Sequence, residues 1–202
     1  MRPRDNQRQR VYDSEHTAAY RLGMTSSGRT IPNDQLQAWV DAVLDRRPIR
    51  SRWGAIHIEA VLKRGGSAYG GLGRITLPLF ARNEWIVLHE IAHSLTERSA
   101  RDVSGCPYDV AWHGPEYVGV YLFLVKTVLG DEAYKAFLAV CRENKVRRNN
   151  TAIPPVLSTV PPPRAERIKA RKREAKEKAQ KQIKSWLYQG TLTKADLRRL
   201  AA

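Results

Sequence analysis

The chain has 202 residues, with 35 Lys+Arg against 20 Asp+Glu, a formal net charge of +15 and a hydrophobic fraction of 42%. That length allows one ordinary globular domain with tails, and the apolar content excludes a wholly disordered chain. Two cysteines, Cys106 and Cys141, neither in a CxxC pair, exclude a multi-bridge secreted scaffold and a cysteine-only metal site. The charged start has no apolar run behind it, so no secretory signal is expected. The longest apolar stretch, 118–129, contains Lys126 and is too short to span a bilayer. The expectation is a soluble, cytoplasmic protein with no membrane partner, its oligomeric state open.

The charge is uneven. Residues 1–10 hold four Arg and one Asp, and residues 164–202 hold thirteen Lys+Arg and four acids, while the long middle is nearly balanced. Residues 1–10 therefore read as a disordered basic arm, and 11–150 as the globular domain. Within it, Pro32-Asn33-Asp34 opens a helical pattern with Leu36, Trp39, Val40 and Val43, which Pro48 stops. From Ala55 to Leu62, Ile56, Ile58, Ala60 and Leu62 alternate with other residues at strand period. A glycine-rich turn, 65–73, leads to a second strand, Arg74–Phe80, as in a long hairpin. Pro78 suggests an edge position for that strand, because proline cannot donate to a ladder.

Asn83 is an N-cap for a helix through Leu95, followed by a polar connection from about Glu97 to Trp112. Pro115 starts a helix to Leu129, and Gly130-Asp131 starts another to about Lys145. Five prolines in 151–163 read as a stiff linker. Residues 164–202 read as a basic helical tail, which points to an anionic partner such as nucleic acid or to a plain solvated helix.

One motif carries chemistry: His89-Glu90-Ile91-Ala92-His93. Residues four apart share a helix face, so two imidazoles can grip one ion, while Glu90 is rotated aside where it can reach water without being a ligand. Val87, Ile91 and Leu95 form an apolar stripe away from the histidines. A catalytic zinc needs a third protein ligand and an open position. His113, before Gly114-Pro115 at a helix start, is the first choice, and Glu116 the alternative. Glu97 reads better as an acceptor for a ligand imidazole than as a ligand, and Cys106 as an ordinary loop thiol. His16 and His57 lack partner spacing and are expected to be structural or exposed.

The order of strand, then His89-Glu90-Ile91-Ala92-His93, then His113-Gly114-Pro115-Glu116-Tyr117, resembles the zincin metallopeptidases. It is most similar to their SprT-like (Spartan-like) group, and also resembles a family of metallohydrolases found in actinobacteria and their phages. The resemblance covers roughly residues 30–148. Tyr117 stands where the SprT-like group usually has Phe, and no Cys-rich zinc ribbon follows. What the resemblance implies is an α+β zincin-like domain, Zn²⁺ on His89, His93 and His113, and Glu90 as catalytic general base.

The expected function is zinc-dependent hydrolysis of peptide bonds in a protein or peptide substrate, with DNA-associated proteins as one class. Arg74–Phe80 is the expected edge for an extended substrate. Tyr108, Tyr117 and His57 are the alternatives for stabilising the oxyanion. Two rival readings are a nucleic-acid-binding protein with a structural zinc, and a zinc hydrolase of a non-peptide amide.

Overall fold

The computed structural model describes residues 3–23, 30–107 and 109–156. The chain divides into two units, Met1–Ser158 and Thr159–Ala202, and the described elements all belong to the first. They are α1 (Arg8–Arg21), α2 (Leu36–Leu44), α3 (Arg47–Trp53), β1 (Glu59–Lys63), β2 (Tyr69–Gly71), β3 (Arg74–Pro78), α4 (Glu84–Ser104), α5 (Pro115–Val128) and α6 (Asp131–Glu143). Helices with one small sheet make an α+β architecture, as the sequence predicts. Among the described residues, no helix is long and apolar enough to cross a membrane. The basic tail lies outside the described residues.

Helix α4 is the centre of the packing. The Asn83 side chain accepts from the Ile86 N–H at 2.9 Å and caps its start, as expected. Trp85, Val87, Leu88, Ile91 and Ala92 are fully buried and Leu95 nearly so. A helix apolar most of the way round must be covered on most sides. The helix also outlasts its predicted end at Leu95 and stops only at Gly105, whose φ of 76° gives a left-handed C-cap. The predicted polar connection is thus half helix, because neighbours satisfy its polar side chains. The Trp53 indole N–H donates to Ser99 Oγ at 3.0 Å, and Thr96 Oγ1 donates to the Ala92 carbonyl at 2.7 Å.

Helix α5 lies antiparallel against α4. The Tyr117 hydroxyl donates to the His89 carbonyl at 3.4 Å, and the Tyr121 hydroxyl to the Trp85 carbonyl at 3.2 Å. Residues one turn apart on α5 therefore meet residues one turn apart on α4 in the opposite order. Helix α1 packs on α6, where the Arg21 guanidinium donates to both Glu143 carboxylate oxygens at 2.9 and 2.7 Å.

Several sequence readings need correction. Residues 1–10 are not simply an arm: α1 begins at Arg8, and Gln7 is buried with three hydrogen bonds to residues far along the chain. Pro48 does not stop a helix: α2 ends earlier, at Leu44, and Pro48 sits in the first turn of the next helix, α3, where a missing N–H costs nothing. Residues 151–156 do more than link. Ala152 is buried, Ile153 packs on the core, and the Pro154 carbonyl accepts from Arg52 at 2.9 Å.

The sheet differs from a simple hairpin. Its order is β1-β3-β2, with β1 parallel and β2 antiparallel to β3. The glycine-rich segment itself supplies the third strand, so Arg74–Pro78 is central rather than an edge. Pro78 is tolerated there because it ends the strand, beyond the reach of β2, which pairs only with 74–76. Strand β1 starts four residues later than predicted. The Gln37 side chain on α2 bonds the Ile58 carbonyl (3.1 Å) and the Ala60 N–H (2.8 Å), covering part of its outer edge. Strand β2 is the other edge, and it runs beside α4.

That contact depends on Gly70. A Cβ at this position would run into the backbone carbonyl of Glu90. Gly70→Ala is expected to push β2 off α4 and lower stability by about 1–3 kcal/mol, the usual cost of overpacking. Urea unfolding of the two proteins checks this; an unchanged midpoint would show that the approach is not tight.

Candidate metal centre

His89 and His93 lie one turn apart on α4, and His113 stands just before the Gly114 N-cap of α5. All three are buried. The His89 Nε2 atom is 3.2 Å from His93 Nε2 and 3.3 Å from His113 Nε2. Two nitrogens on a tetrahedral zinc, each about 2.0–2.1 Å from it, stand about 3.3 Å apart. Among the described residues these three form the one group of His, Cys or carboxylate side chains close enough together to hold a metal ion.

The outer nitrogens explain why the inner ones converge. His89 Nδ1–H donates to Glu15 Oε2 at 2.9 Å, and His113 Nδ1–H donates to Asp5 Oδ2 at 2.7 Å. A carboxylate on Nδ1 fixes the tautomer that leaves the Nε2 lone pair free for an ion. Aromatic rings hold the imidazole planes. Tyr12 stacks on His89 at 5.3 Å and 12°, Tyr117 stacks on His93 at 4.3 Å, and Trp112 meets His93 edge-on at 5.2 Å.

These residues fit a divalent cation. Lone pairs facing one another at such distances in a buried site repel unless they share a positive charge. Glu15 is buried, and Asp5 Oδ1 is buried with no hydrogen-bond partner, so two carboxylates also need a counter-charge. Three imidazole nitrogens suit zinc, among other transition metals. Without metal, a proton takes part of that role. Burial opposes charging His89, but the adjacent Glu15 carboxylate outweighs it and leaves this imidazole above its ordinary pKa. Burial, followed by repulsion from His89, pushes His113 down to about 4.

Glu90 sits beside His89 in a cleft of about 310 Å³, lined also by Arg8, Tyr12, Ala68, Phe80 and Ile86. Burial pushes its carboxyl up to about 7, with the charge on His89 opposing. Such a group takes up and gives back a proton near neutrality.

The other predicted residues lie outside the histidine cluster. Glu116 accepts from the Asn149 side chain at 3.3 Å and does not join the cluster. Cys106 is half-buried beyond the end of α4, and Glu97 is buried one turn past His93. Neither belongs to the cluster. His16 is exposed. His57 is exposed too, with Nδ1 3.5 Å from an Asp41 carboxylate oxygen and away from the cleft, which removes it as an oxyanion donor. The Tyr117 hydroxyl is engaged with the His89 carbonyl. Tyr108 lies outside the described residues.

Sequence reasoning missed Asp5, Tyr12 and Glu15. The one signal was a carboxylate inside the buried stripe Val11, Ser14, Glu15, Ala18 of α1. No family model, curated protein or solved structure matches this chain.

The protein is expected to bind about one zinc per chain, and His89→Ala or His93→Ala to abolish binding. Because the imidazoles must be neutral to ligate and His89 holds its proton above the ordinary range, affinity should fall as pH drops from about 8 to about 6. Competition with a chromophoric chelator at several pH values measures both. Affinity independent of pH would contradict imidazole ligation.

Proposed function

We propose that the chain is a zinc-dependent metallopeptidase, with zinc held by His89, His93 and His113 and Glu90 as general base. The observation that carries this reading is the juxtaposition of three convergent histidines with a buried carboxyl, Glu90, that lines a cleft together with His89. Zinc in such a site supplies an electrophile that polarises a carbonyl and makes water acidic near neutrality.

The protein's own residues do the rest. Glu90, buried in the cleft beside His89, accepts a proton from the attacking water and returns it to the departing amine. Phe80, Ile86 and Ala68 give the open cleft an apolar wall against which a substrate side chain can rest. The edge strand beside Glu90 is β2, not Arg74–Pro78, so main-chain pairing of an extended substrate belongs at Tyr69–Gly71.

The resemblance to SprT-like zincins supports the same reading and adds substrate proteins associated with DNA. The excess charge of residues 164–202, thirteen Lys+Arg against four acids, suits a nucleic-acid tether. A purely structural zinc is less well supported. Structural sites close all four positions with protein ligands, and three histidines gather here.

Glu90→Gln is expected to keep zinc and fold while lowering peptide hydrolysis at least about 100-fold. Casein cleavage alongside zinc content tests this. Full activity in the variant, or loss of its zinc, would show that Glu90 is not the base.

A further inference from the structure

The ligand histidines take their outer hydrogen bonds from one stretch of chain. His113 donates to Asp5 and His89 to Glu15, both in the segment that carries α1. We propose that residues 3–21 are a built-in part of the metal centre, with Asp5 and Glu15 as positioning residues, so that docking of this segment and zinc affinity rise and fall together. The proposal rests on the reading of His89, His93 and His113 as metal ligands.

The segment has its own anchorage, separate from the imidazoles. The Gln7 side chain donates to the His113 carbonyl (2.8 Å) and the Arg147 carbonyl (3.0 Å), and accepts from the Arg147 N–H (3.0 Å). Arg10 donates to the Lys145 carbonyl at 3.0 Å, and the Asn144 amide donates to Ser14 Oγ at 2.9 Å. Val11 and Ala18 are fully buried. These bonds deliver Asp5 and Glu15 to the histidines.

The coupling follows from charge. Docking buries Glu15 and one oxygen of Asp5 beside three imidazoles. Without a cation that burial is unfavourable; with a dication the two carboxylates nearly balance it. Metal therefore stabilises the docked segment, and by reciprocity the docked segment tightens metal binding by the same factor. The acceptors also hold both imidazoles in the ligating tautomer and orientation.

Two readouts on the full chain test this. In chelator competition, Asp5→Asn and Glu15→Gln are each expected to weaken zinc binding by about 10–100-fold. Asp5→Ala should lose more than Asp5→Asn, since the amide oxygen still accepts from Nδ1–H. Asp45→Ala, which loses only the exposed pair with Arg50 away from this segment, should stay within about twofold. In the unmodified protein, amide exchange across residues 8–21 should slow when zinc is added, a readout that needs no variant to fold. Carboxylate variants binding zinc within about twofold of the parent, or exchange in α1 indifferent to zinc, would overturn the proposal. A parent protein that takes up no zinc would overturn the metal reading itself.

Discussion

Everything around the candidate centre depends on pointing three imidazole lone pairs at one another inside a protein. Left alone, that arrangement is repulsive and dehydrated. It persists because each ring is held from behind: His89 by Glu15, His113 by Asp5, His93 by the face of Tyr117. A divalent cation turns the same arrangement from a liability into a bonded cluster.

The fold serves that convergence. Helix α4 is buried on most sides, and its His89 and Glu90 open into a cleft lined by α1, the glycine-rich segment at Ser67 and Ala68, and Phe80. Helix α5 contributes through its start, where Gly114 and Pro115 fix the position of His113, and through Tyr117 and Tyr121, whose hydroxyls lock it to the α4 backbone. Gly70 lets β2 approach the backbone of Glu90 without a side chain between them. Site and scaffold share the same contacts.

Local signals in the sequence are strong. Asn83, Pro115 and Gly130 mark helix ends through backbone chemistry that acts within a few residues, and the structure has helices starting or stopping at each. The i, i+4 histidines and His113 were legible because metal-binding residue types are rare in this chain. The strand order was not. Tyr69–Gly71 has too few side chains for periodicity to register, yet it takes the edge position that the sequence assigns to Arg74–Phe80. Asp5 and Glu15 were hidden for another reason. A carboxylate in a basic, polar N-terminus looks like a solvated charge, and only the tertiary contact with an imidazole 74 residues away reveals Glu15 as a buried acceptor.

X-ray absorption at the zinc edge of the zinc-loaded protein tests the central claim most directly. Scattering is expected from three imidazole nitrogens and one oxygen at about 2.0–2.1 Å from the metal. A sulfur scatterer at about 2.3 Å, which would bring in Cys106 or Cys141, or a shell with fewer than three imidazoles, would contradict it.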